Sequence, residues 1–209
     1  GIVNEYIHVE KPDQEAVPSR QFDISKIDFD LLSREFAHTR RKNLLLRDLD
    51  ELVNQQLAKM LFANPQRIDY YDRYQEIIDA YNAEQNRATI EKTFMDLIEL
   101  ASSLDTEQQR YVREGFSSDE ELSVYDLLFS ENLTKQEIEM IKKVSVDLLT
   151  KIKQQIAKLD HWTDKQETKA IVDNLIRNTL WQELPNSYDV SDIQTYQKKI
   201  YEYVYMRYP

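Results

Sequence analysis

The chain has 209 residues, no cysteine, only two glycines (Gly1 and Gly115) and a formal net charge of −11. Without cysteine there is no disulfide, thiol nucleophile or thiolate metal site, and two isolated glycines cannot build the loop that cradles nucleotide phosphates. An acidic chain is also a poor free-standing, nonspecific DNA binder, because attraction to phosphate needs a basic face.

Few Gly and Pro among abundant Leu, Glu, Gln, Lys and Ile favour helix. The expected fold is all-α: an irregular multi-helix bundle of about eight helices. The charge is uneven. Residues 131–209 hold 12 basic and 12 acidic residues, so the whole −11 belongs to residues 1–130. No apolar run reaches the length of a membrane span. That and the absence of cysteine set the cytoplasm as the expected compartment, with no membrane partner. The opening GIVNEYIHVE has no Met, so a piece of a longer protein is expected.

Residues 1–27 read differently from the rest. IVNEYIHVE alternates enough for one strand, KPDQEAVPSR reads as a loop, and QFDI could pair as a second short strand, so a minor strand pair is admitted at the N-terminus. From Asp28 the period becomes helical. Asp28 is placed to cap FDLLSREFAHTRRKN. The next stripe is Leu45, Leu49, Leu52, Val53, Leu57, Met60 and Leu61, stopped at Asn64-Pro65. From Pro65 to Asn82, Ile68, Tyr71, Ile78 and Tyr81 recur at helical spacing opposite Asp69, Asp72, Arg73, Glu76 and Asp79. This predicts packed tyrosines and a wet acidic face.

Residues 86–103 present Ile90, Phe94, Leu97, Ile98 and Ala101. LDTEQQRYVREGF reads as a short helix ended by Gly115. Ser117 or Ser118 with Glu120 or Glu121, and Thr134 with Glu137, carry the capping signature for the next two helices. The following helix is read from DHWTDKQETKAIVDNLIRNTLW, with Trp162, Ala170 or Ile171, Leu175, and Thr179 or Leu180 facing inward. The last runs through Ile193, Tyr196, Ile200 and Tyr203 or Val204.

Signs of chemistry are sparse. His8, His38 and His161 share no metal-ligand spacing. Pro12-Asp13 with Glu167-Thr168-Lys169 mimics a nuclease motif, but that motif needs a strand, where positions i and i+2 share a face. On a helix they diverge by about 200°. The densest basic cluster is Arg40, Arg41 and Lys42, followed by Arg47. These are the candidate DNA-phosphate contacts. A second scattering, Lys142, Lys143, Lys151, Lys153 and Lys158, is interleaved with acids.

Three stretches occur in order: LAKMLFANPQRIDYYDRYQEIIDAYN, REGFSSDEELSVYDLL and LDHWTDKQETKAIVDNLIRNTL. The aromatic YEYVYMRYP follows them. This ordered set resembles the C-terminal helical region of the R (HsdR, motor) subunit of type I restriction enzymes, from about Asp28 to the end. The resemblance implies a large parent with a nuclease domain and two helicase-like motor domains that hydrolyse ATP and translocate double-stranded DNA. It places ATP and Mg in those other domains, with no cofactor, metal or catalytic residue in this chain. It also implies docking onto the methyltransferase and specificity subunits. Residues 1–27 would then connect the motor domains to an assembly domain at 28–209. The alternative is a DNA-guiding domain whose basic residues line the duplex path.

Overall fold

A computed structural model describes residues 23–209. Among them are nine α-helices, two 3-10 turns and no strand. The expectation of an all-α fold holds. The strand pair expected before residue 28 lies outside the described residues, except that Asp23 and Ile24 of QFDI form a cap and the start of a 3-10 turn, Ile24–Lys26. The described residues fall into two compact units, one ending at Arg110 and one running from Tyr111 to Pro209.

The first unit is built on α4 (Arg87–Gln108). Against it pack α1 (Phe29–His38), α2 (Lys42–Ala63) and α3 (Ile68–Ala83). Asp28 caps α1 as its sequence predicts, accepting from Leu31 N at 3.0 Å. At the other end of α1 the Phe36 ring stacks on Phe94 of α4, centroids 3.7 Å apart. Asn64 stops α2, and its side chain caps the 3-10 turn Pro65–Arg67 by accepting from Gln66 N at 3.1 Å. Proline suits that first position because its missing N–H would have no helical partner.

In α3, Tyr71, Ile78 and Tyr81 are buried while Asp72, Glu76 and Asp79 are exposed, as the period requires. Tyr74 is buried deeper still, at 1% exposure. Ile68 departs from expectation at 37% exposure. It opens the helix, where the chain is still turning out of Pro65. In α2, Leu46 replaces Leu45 as the buried start of the stripe.

The short helix read from Leu104 divides differently. Residues 104–108 extend α4, and only Arg110–Arg113 form the four-residue α5. Gly115 then takes φ +84°, and Phe116 N reaches back to Tyr111 O at 2.8 Å. The left-handed turn explains the glycine, since a side chain there would be strained.

The second unit closes α6 (Asp119–Leu128), α7 (Lys135–Ile156), α8 (Gln166–Glu183) and α9 (Val190–Arg207) into a ring. Each helix packs on the next, and α9 returns to α6. Arg207 Nη2 donates to Glu120 Oε1 at 3.1 Å, so the end of α9 meets the start of α6. Thr134 and Glu137 form the predicted capping box. A second box, Asp189 with Asp192, starts α9. Trp162 is not helical. It precedes α8 and is buried at 1% exposure, its Nε1 donating to Tyr208 O at 2.6 Å. The α8 stripe is shifted by one residue: Val172, Ile176, Thr179 and Leu180 are buried, and Ile171 is exposed.

Candidate functional site

The four candidate phosphate contacts do not share a helix. Arg40 and Arg41 occupy the break between α1 and α2, both exposed, and Arg41 N donates to Thr39 Oγ1 at 3.1 Å. Arg41 is the N-cap residue of α2, and no side chain caps that helix. Arg47 follows, exposed, on the second turn. Lys42 folds back instead. Its Nζ donates to Phe36 O at 2.6 Å and lies 4.4 Å from the Phe36 ring centroid. A cation on the last carbonyls of a helix complements the backbone dipole, so this amine is engaged in holding α1.

The second group of lysines is also largely engaged. Lys142 meets Glu114 at 3.1 Å and lies 5.9 Å from the Tyr125 ring. Lys151 bridges Asp147 at 2.8 Å and Glu183 at 2.9 Å, and Lys153 lies 5.4 Å from the Tyr208 ring. Burial, and then the hydrogen bond with Asp147, push the Glu183 carboxyl above its ordinary value. The same hydrogen bond, seconded by Lys151, holds Asp147 below its own. An open groove of about 600 Å³ runs between the turn after α5 and the outer face of α7. Cations (Arg113, Lys142, Lys143) and acids (Glu114, Glu139, Asp147) alternate along it.

Two polar clusters lie inside the first unit. Tyr74 Oη donates to Asp50 Oδ1 at 2.7 Å, joining α3 to α2. Burial raises both groups above their ordinary values, and the hydrogen bond from Tyr74 restrains Asp50. Arg67, at 3% exposure, donates from Nε to Glu107 Oε1 at 3.1 Å and from Nη1 to Met60 O at 3.3 Å. Arg110 Nε lies 3.0 Å from both Glu107 oxygens. These contacts tie the turn after α2 to the end of α4. In the second unit, Tyr188 Oη donates to Leu128 O at 2.5 Å, pinning the α8–α9 connection to the end of α6.

Among the described residues no group of three or more His, Asp or Glu side chains could hold a metal. His38 and His161 are exposed, and His8 lies outside the described residues. Glu167, Thr168 and Lys169 sit on α8, with Thr168 Oγ1 donating to Trp162 O at 2.6 Å. The acid and lysine of the apparent nuclease triplet therefore diverge. Its Pro12-Asp13 half lies outside the described residues.

What the sequence reading passed over is on the surface. Trp181 is 49% exposed on α8, and Ile171, Val112 and Val190 are also exposed. The signal was present: Trp181 follows Leu180 and is out of phase with the Val172–Ile176–Leu180 stripe. Among the described residues no helix is long and apolar enough to cross a membrane.

A family model described as "Type I restriction enzyme HindI endonuclease subunit-like, C-terminal" matches residues 15–207. Searches of curated proteins and of solved structures found no match.

Proposed function

The chain belongs to that family, the C-terminal region of the type I restriction endonuclease subunit, and from this premise we propose that it is the non-catalytic part that docks the motor subunit onto the methyltransferase and specificity subunits. The observation that carries the proposal is a half-exposed tryptophan on a helix whose buried side is already filled. Trp181 stands outside the packed ring of α6 to α9. A large aromatic left in water on a finished unit is the kind of residue that concentrates binding energy at protein interfaces. The catalytic work of the parent, ATP-driven translocation of double-stranded DNA and its cleavage, falls to the motor and nuclease domains with their ATP and Mg. Residues 1–27 serve as the connection from those domains, and the assembly works in the cytoplasm.

Pull-down of the chain against the methyltransferase–specificity complex, with and without DNA, tests this reading. Capture that does not require DNA supports it. Capture only when DNA is present turns it towards the second reading.

That second reading is a DNA-guiding role, favoured by one observation. Arg40, Arg41 and Arg47 are exposed around an α2 N-terminus that no side chain caps. Phosphate contacts there would position a duplex without reading its sequence.

A further inference from the structure

Between Ala170 and Glu183, α8 carries two acids, and neighbouring helices engage both. Asp173 Oδ1 accepts from Gln197 Nε2 on α9 at 3.0 Å, and Glu183 Oε1 accepts from Lys151 Nζ on α7 at 2.9 Å. The face left to solvent holds Ile171, Asn174, Arg177, Asn178, Trp181 and Gln182. At about 100° per residue these positions span an arc of roughly 140°. Between Ile171 and Gln182, Arg177 is the one ionised group on the arc; the one exposed acid that shares it, Glu167, stands at the first turn of α8, one turn before Ile171. The chain as a whole is 31% charged with a net −11. Other helices face solvent with acids, as α3 does with Asp69, Asp72, Glu76 and Asp79.

A neutral face of this kind is the wrong chemistry for a duplex, which needs several cations in register. Its composition is that of a protein interface: charge depleted at the centre, with tryptophan and arginine present and uncharged polar groups around them. Arg177 has no ion-pair partner among the described residues, so a carboxylate of a docked protein can meet it without breaking an existing pair. The guanidinium fork matches that group in two parallel hydrogen bonds. We propose that this face of α8 docks on a folded protein surface that offers an apolar pocket for the Trp181 indole beside a carboxylate for Arg177. The inference rests on the docking reading above and names its surface.

The test uses the full-length subunit and its affinity for the methyltransferase–specificity complex. Four variants are compared: Trp181→Ala, Ile171→Asp, Arg177→Glu, and deletion of residues 23–209. Asp72→Ala on α3 is the control. Deletion is expected to abolish binding. Trp181→Ala should weaken it at least about 30-fold, the usual loss for a central interface tryptophan. Arg177→Glu should weaken it at least about tenfold, while Asp72→Ala leaves it unchanged. These side chains are exposed, so the melting temperature should stay within a degree or two of wild type. If Trp181→Ala lowers it, Ile171→Asp and Arg177→Glu decide the question. Deletion that abolishes binding while all three point variants bind like wild type overturns the surface and leaves docking standing. Binding untouched by deletion removes the docking reading and the surface with it. The proposal also fails if Trp181→Ala lowers DNA affinity, or self-association measured by light scattering, and spares the complex.

Discussion

Tyr74 on α3 donates its phenolic proton to Asp50 on α2 at 2.7 Å, inside the packed half of the first unit. Burial raises the Asp50 carboxyl above its ordinary value, and this hydrogen bond is what restrains the rise. The folded state therefore holds the Asp50 proton more tightly than the unfolded state does. Its contribution to stability is highest below the unfolded value and falls as pH rises through the folded one. Tyr74→Phe keeps the ring and removes the donor. It should cost about 1.5–3 kcal/mol at neutral pH, the range for a hydrogen bond to a charged group. The cost should shrink as the solution is acidified and Asp50 is protonated. Denaturant unfolding at a series of pH values checks this, and a pH-independent cost would show that Asp50 is not the group affected. Asp50→Asn should flatten the same slope.

The Arg67–Glu107 pair predicts a larger effect. Both side chains are buried, at 3% and 9% side-chain exposure. Glu107→Ala removes the buried carboxylate that Arg67 and Arg110 share, and should cost about 3–5 kcal/mol. The exposed Arg87–Glu91 pair on α4 is the internal comparison. Arg87→Ala should change stability by less than about 0.5 kcal/mol, the usual scale for exposed helical pairs. Equal losses in the two variants would contradict a buried role for Glu107.

The basic corner between α1 and α2 predicts a split between neighbours. In the full-length subunit, Arg40→Ala and Arg41→Ala should each lower the salt slope of DNA binding by about 0.9, if each makes one phosphate contact. Sequence preference should not change. Lys42→Ala should leave the slope alone and instead destabilise the unit by roughly 0.5–1 kcal/mol, because its amine holds the end of α1. A slope that moves with Lys42 and not with the arginines would reverse the assignment.

Local signals were the legible part of this chain. Asp28, Thr134 with Glu137, and Gly115 act over three or four residues, and each does in the structure what its spacing predicts. The α3 stripe was legible for the same reason, since Tyr71, Ile78 and Tyr81 follow one helical period. Two kinds of feature were not. Pairs far apart in sequence leave no local trace: Arg67 and Glu107 are 40 residues apart, and Trp162 and Tyr208 are 46. The phase of α8 was also misread, because Ile171 and Leu175 mimic a stripe one step from Val172 and Ile176. That single step hid the outward tryptophan. In the basic cluster the sequence placed Arg40 and Arg41 on a helix. The break at Thr39 to Arg41 puts them in a loop and turns Lys42 back onto Phe36.

The central claim is that this domain docks the motor subunit, and competition tests it most directly. The isolated chain is titrated into a complex reconstituted from full-length R subunit and the methyltransferase–specificity complex on DNA, and the R subunit still bound is measured by sedimentation. Dose-dependent displacement of the R subunit, retained at a salt concentration that suppresses binding of the chain to DNA, is the predicted result. Full retention of the R subunit at saturating chain would contradict it.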